Sequence, residues 1–150
     1  KFDYKKQDDA KRIDFGEKIT EKFWEISSGS NEDLSYMPNG YLELVIRSQS
    51  VSDKKIELIL QCSKNQNQIN ITGTKECYKS FDISELLTDK STDTWQKIIM
   101  PLSCLNNKNF EISSITSRAK LATRGDWVID IHSIKYINSI EPKICKLLSL

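Results

Sequence analysis

The feature that most constrains this chain is hydrophobic alternation with a period of two, which recurs in short runs and never yields to a long helical stripe. In residues 41–47 (YLELVIR), Leu42, Leu44 and Ile46 share one face, and in residues 55–62 Ile56, Leu58, Leu60 and Cys62 do the same. Residues 127–137 (WVIDIHSIKYI) alternate again, Trp127, Ile129 and Ile131 against Val128, Asp130 and His132. Weaker strand signals lie at 23–26, 68–72 and 78–83. Residues 95–105 (WQKIIMPLSCL) form an apolar strand that Pro101 ends or pushes to an edge. Residues 110–123 hold one long strand or two short ones, and residues 84–87 (SELL) a short helical turn capped by Ser84. About eight short strands with polar turns between them, such as Pro38-Asn39-Gly40, predict an all-β antiparallel sandwich over residues 1–137. Residues 138–150 break the rhythm. There Ile144, Leu147 and Leu148 have helical spacing, so the tail reads as a short packed helix or a frayed end.

Length and charge narrow the function classes. With 150 residues the chain suffices for one well-cored domain. Lys and Arg number 22 against 21 Asp and Glu, a formal +1, so no electrostatic footprint for nucleic acid or an anionic membrane is built in. No apolar run approaches the roughly 20 residues that cross a bilayer as a helix. The chain starts at Lys1, as expected of a mature or trimmed piece of a longer protein.

The chemistry-bearing residues are sparse. Cys62, Cys77, Cys104 and Cys145 contain no Cys-x-x-Cys pair, and His132 is the one histidine, so a zinc site is unsupported. Spacing alone does not choose among the three pairings of four cysteines. Cys62 and Cys77 flank a polar stretch, and a bridge between them would close a ring of about 15 residues, adding on the order of 3 kcal/mol. That reading favours an oxidising compartment; the alternative is a pair of buried thiols in the cytosol. His132 and Asp130 share a strand face, but Ser133 falls on the other and no Gly-x-Ser-x-Gly elbow exists, so His132 reads as a surface or rim residue. The acids mark no carboxylate pair, and the five glycines build no phosphate cradle. The basic doublets Lys5-Lys6, Lys11-Arg12 and Lys54-Lys55 read as solvated surface, and Asn70-Ile71-Thr72 is a chance glycosylation triplet.

Aromatic side chains are the remaining lead. A sugar ring presents an apolar face of C–H groups on which Trp or Tyr stacks, while polar neighbours bond its hydroxyls. Trp95, leading a very apolar strand, is expected in the core. Trp24 and Trp127 border the polar loops 27–40 and 123–126, with Tyr36, Arg124 and Asp126 as polar partners, and these five are the candidate carbohydrate-binding residues.

Four segments, in order, resemble a known module. They are Gln7-Asp8-Asp9-Ala10-Lys11-Arg12; Asp33-Leu34-Ser35 with Tyr41 to Arg47; Cys62 with Cys77-Tyr78-Lys79-Ser80-Phe81-Asp82-Ile83-Ser84; and Trp95 with Met100-Pro101-Leu102-Ser103-Cys104-Leu105, then Ile112, Ile115, Leu121-Ala122-Thr123 and Ile134-Lys135-Tyr136. Together they are similar to the galactose-binding-like C-terminal domain of bacterial exo-acting glucan glucohydrolases and β-glucosidases of glycoside hydrolase family 3. The resemblance implies a jelly-roll sandwich, a Cys62–Cys77 bridge and a non-catalytic accessory role. It further implies β-glucan or an oligosaccharide as ligand, the catalytic domains of the parent chain as partners, and export to the periplasm or beyond. The chain departs from the family in the longer, Asn/Gln-rich span between Cys62 and Cys77 and in Leu105, where an aromatic is common. Cys145 lies beyond the matched region, free or bonded to Cys104. Where related sandwiches place calcium-binding acids the chain has His132-Ser133, poor hard-cation ligands, so neither metal nor cofactor is expected. The alternative is a structural or protein-interaction module of the same enzyme, without a sugar site.

Overall fold

The computed structural model describes residues 10–16, 20–63, 77–89, 92–105 and 110–149. The expected strand at 68–72, the Asn/Gln-rich loop, the Asn70 triplet, Lys5-Lys6 and the start of the first family-like segment lie outside the described residues. Among the described residues nine strands form: β1 (Lys11–Asp14), β2 (Lys22–Glu32), β3 (Tyr41–Ser50), β4 (Ile56–Cys62), β5 (Tyr78–Asp82), β6 (Gln96–Pro101), β7 (Ile115–Thr123), β8 (Val128–Ile137) and β9 (Leu148–Ser149). Their pairings are antiparallel, in one sheet of order β1-β8-β3-β6-β9 and another of order β2-β7-β4-β5. The expected antiparallel sandwich is the observed fold.

Alternation explains the layering. Leu42, Leu44 and Ile46 of β3, Ile98 and Met100 of β6, and Ile129 and Ile131 of β8 point inward from the five-stranded sheet. Ile56, Leu58 and Leu60 of β4 with Ile115, Ala119 and Leu121 of β7 answer from the other. Each fully buried Leu or Ile contributes about 1.5–3 kcal/mol by leaving water, so a one-residue slip in any of these strands would expose a whole row.

Several local expectations change. The strand at 96–101 stops at Pro101, which lacks an amide hydrogen to continue the ladder, and a 3-10 turn (Leu102–Leu105) follows. The helix α1 (Ser84–Thr88) forms, but Ile83 occupies the cap position. The Ser84 hydroxyl instead accepts from the Ile56 amide at 2.9 Å and donates to Asp82 at 2.6 Å. The tail forms no helix over 138–149. Its end pairs with β6 as β9, Cys145 is bonded to Cys104, and the Ser103 hydroxyl donates to the Lys143 carbonyl at 2.9 Å. A tail with these cross-links gains more from the free edge of β6 than from a few helical bonds. Cys62 is bonded to Cys77, and their strands also meet through Cys62 N–H to Cys77 O at 2.8 Å.

Candidate functional site

The five residues singled out from sequence do not form one site. Trp127 is fully buried, and its indole N–H donates to the Lys54 carbonyl at 2.8 Å. Its ring faces are spent on the core, so it cannot stack on a ligand. Gly125, two residues earlier, lets the β7–β8 turn press on the β3–β4 turn, since a Cβ there would lie 2.7 Å from Ser52 Cβ. Trp24 is half-buried and packs against the core from β2. Arg124 and Asp126 are exposed in the β7–β8 turn near the same end of the sandwich. Tyr36, 69% exposed, lies past the far end of β2 beside Asp33, Ile134, Lys135 and Tyr136. By register Trp24 is level with Leu58 and Glu32 with Cys62, about 13 Å further along β4, and Tyr36 lies past Glu32.

Because Trp24 points inward, its neighbour Phe23 points outward, and Phe23 is 62% exposed. The register then fixes what surrounds it on the outer face of the four-stranded sheet. One row across the strands reads Phe23, Ala122, Glu57, Asp82; the next reads Glu25, Lys120, Ile59, Ser80. Beyond them Gln61 is paired with Tyr78, whose side chain is 52% exposed. Two shallow depressions run over this face. One, of about 360 Å³, is lined by Glu21, Glu57, Ile59, Gln61, Tyr78, Ser80 and Lys120. The other, of about 420 Å³, is lined by Glu21, Lys54, Lys55, Glu57, Ala122, Thr123 and Arg124. They share Glu21 and Glu57, so they adjoin.

The face carries charges of both signs. The Lys120 ammonium stands 4.1 Å from the centre of the Phe23 ring, within cation–π range. Lys55 pairs with Glu57 at 2.8 Å, and that carboxylate raises the Lys55 pKa. The Ser84 hydroxyl and amide hold the Asp82 carboxyl below its ordinary value, keeping it ionised. Among the described residues lining the two depressions, Lys54, Lys55, Lys120 and Arg124 stand with Glu21 and Glu57. The face thus offers aromatic rings at its edges and a floor of charged and polar donors and acceptors. Phe23 and Tyr78 were missed in sequence because a strand's facing is set by the register of its neighbours; strict alternation from Trp24 was the one available signal.

The opposite outer face, on the five-stranded sheet, is closed. Asp130 is almost wholly buried and accepts from Arg12 Nε at 2.7 Å, Arg12 Nη2 at 3.0 Å, Arg47 Nε at 2.8 Å and Gln49 Nε2 at 3.0 Å. These bonds, led by Arg12, overcome burial and lower its pKa to about 2. Trp95 is half-buried here and not in the core as expected, with the Arg47 guanidinium 4.5 Å from its ring centre and the His132 ring edge-on at 6.0 Å. With its oxygens engaged by Arg12, Arg47 and Gln49, Asp130 is an anchor and not a partner for His132 chemistry.

A sandwich of this strand order is that of a galactose-binding-like domain. The chain belongs to the Exop_C family, described as galactose-binding domain-like, whose model matches residues 1–136. No curated protein sequence matches. Among solved structures, the chain is similar to the extra C-terminal domain of exo-1,3/1,4-beta-glucanase from a Pseudoalteromonas species, with 20% identity, a TM-score of 0.58, and 91% of this chain and 68% of that one covered. It spans 14% of the length of the larger glucanase chain from the same source, at a TM-score of 0.60 and 20% identity over 89% of its own length. It is also similar to the family 30 carbohydrate-binding module of the cellulosomal cellulase Cel9D-Cel44B of Clostridium thermocellum, with 20% identity and a TM-score of 0.64, over 87% of this chain and 75% of that one. At these identities the likeness is one of fold.

Proposed function

We propose that the chain is a non-catalytic, carbohydrate-binding accessory domain that holds β-glucan weakly for an exported glucan glucohydrolase or β-glucosidase of glycoside hydrolase family 3. The observation that carries this reading is the outer face of the four-stranded sheet, where exposed Phe23 and Tyr78 flank a floor of Glu57, Ile59, Gln61, Ser80 and Lys120. Aromatic faces suit the C–H side of a pyranose, and the polar floor suits its hydroxyls. Of the residues first singled out, Arg124 lines the adjoining depression, Asp126 is exposed in the same turn, and Trp24 faces the core. Tyr36 stands apart. The Cys62–Cys77 and Cys104–Cys145 bridges support an oxidising compartment, the periplasm or the outside of the cell. Among the described residues no helix is long and apolar enough to cross a membrane. The likeness to a part making up 14% of an exo-1,3/1,4-beta-glucanase chain supports attachment to the catalytic domains of a parent chain.

Isothermal titration with cello- and laminari-oligosaccharides tests the reading. Heat of binding at millimolar ligand is expected, and none on substituting Phe23 and Tyr78 together by Ala. A second reading, a structural or protein-interaction module without a sugar site, is favoured by Ile140, Ile144 and Leu148, which expose apolar side chains along the tail. Silence toward every glucan, together with self-association abolished by Ile140→Ser and Ile144→Ser, would select it.

A further inference from the structure

We infer that the Cys104–Cys145 bridge is a site of reversible exchange with a thiol or dithiol, attacked at Cys145, and that reducing it frees the strap formed by residues 138–149 from the edge of β6. This goes beyond the carbohydrate-binding reading and does not rest on it.

The two bridges of the chain differ in what solvent can reach. Cys62 and Cys77 are both buried, 9% and 4% exposed. In the other bridge Cys104 is packed among the core side chains at 6%, whereas Cys145 is exposed. Exchange needs a thiolate to reach one sulfur of the pair, and of the two bridges only this one presents a cysteine to solvent.

What the bridge holds is lightly fastened otherwise. β9 contributes two residues, Leu148 and Ser149, paired with Ile99 and Ile98 of β6. Two hydroxyls add to that: Ser103 donates to the Lys143 carbonyl at 2.9 Å, and Ser149 donates to the Gln96 side-chain oxygen at 2.6 Å. Leu147 packs against the core, while Ile140 and Ile144 point into solvent. So short a strand with so little buried apolar surface belongs to the low end of local stability, and the covalent link just ahead of it decides how often it leaves β6. Cys145 and β9 also lie beyond the part of the chain that the Exop_C model matches, so the strap stands outside the shared sandwich.

The chemistry balances as a two-electron exchange. One thiolate of a dithiol attacks the Cys145 sulfur, forming a mixed disulfide and breaking the bond to Cys104, which leaves as a thiolate and takes up a proton. The second thiolate of the dithiol then closes on its own partner sulfur and expels Cys145, which is protonated in turn. The dithiol ends as a disulfide and the chain as two thiols. With the strap gone, β6 becomes the edge of its sheet.

The experiment treats the 150-residue chain with limiting dithiothreitol under native conditions, quenches by alkylation and locates the label by peptide mass spectrometry. Cys104 and Cys145 should be labelled at least about tenfold sooner than Cys62 and Cys77. Hydrogen exchange on the reduced chain should then rise about tenfold or more in the strap peptide 143–149 and in the β6 peptide holding Ile98 and Ile99, with β3 and β4 unchanged. Re-oxidation should restore protection. Cys145→Ser, at an exposed position, should exchange like the reduced chain without any dithiothreitol. Labelling of all four cysteines at one rate would overturn the exchange site. Strap exchange unmoved by reduction and by Cys145→Ser, or an equal rise in β3 and β4, would overturn the strap, since the bridge would then hold either nothing or the whole sandwich.

Discussion

The two outer faces of this sandwich are written with the same alphabet and used in opposite ways. On the five-stranded sheet, the outward residues of β3, Glu43, Val45 and Arg47, are as buried as the inward Leu42, Leu44 and Ile46. Their charges are consumed locally: Lys97 reaches Glu43 at 3.2 Å, and Arg47 joins Asp130 and Asp93 at 2.8 and 3.0 Å. On the four-stranded sheet, the outward residues of β4 and β5 stay half-buried or exposed, and no ion pair beyond Lys55–Glu57 is seen among their described side chains. Polar residues on a sheet face therefore carry no single meaning. Buried and bonded to one another, they brace the fold; open to solvent, they remain available to a ligand.

The sharpest way to break the comparison is at Asp130. Asp130→Ala would leave the buried Arg47 guanidinium with the exposed Asp93 as its remaining carboxylate and loosen β1, which Arg12 ties to β8. The expected cost is about 3–5 kcal/mol, read as a lower urea midpoint. Below the new midpoint, glucan affinity should match that of the unsubstituted chain, because none of the described residues lining the two depressions belongs to this network. Acid gives the same contrast more gently. Asp130 titrates near its ordinary value of 3.8 when unfolded and at about 2 when folded, so its stabilisation is complete above pH 4 and is lost as pH falls toward 2. The loss attributable to this group is about 2 kcal/mol. Denaturation midpoints between pH 5 and 2 would show it, and Asp130→Asn should flatten that slope.

How far the sequence discloses this division depends on the element. The runs in β3, β4 and β8 alternate so strictly that sandwich, strand positions and core rows follow from period two. Facing is legible only where one residue is anchored. Once Trp24 is known to be inside, Phe23 must be outside, but both members of a Phe-Trp pair are hydrophobic and nothing local decides between them. Trp127 shows the same ambiguity: a polar loop before it suggests a rim, whereas the close approach at Gly125 folds that loop over it. Tyr78 carries no signal at all, since its role depends on pairing with Gln61 across a register set by distant residues. The Asp130 cluster is hidden for another reason. Arg12, Arg47, Gln49 and Asp130 come from three strands far apart in sequence, and period two says which face each occupies but not which neighbours it meets.

The smallest expected effects sharpen the comparison from the open side. Lys120→Gln removes a cation from the Phe23 ring without burying or orphaning any group, so stability should change by no more than about 0.5 kcal/mol. Affinity for a glucan hexasaccharide should fall about threefold as a charged donor gives way to the weaker neutral amide. Salt should do less still. A neutral glucan brings no charge to displace counterions from Lys54, Lys55, Lys120 and Arg124, and affinity should stay level between low and high sodium chloride. A steep fall would mean that glucan binding is coupled to ions held by the charges on this face; a level response would separate this open face from the salt-screened pairs at the exposed rim of the Asp130 network.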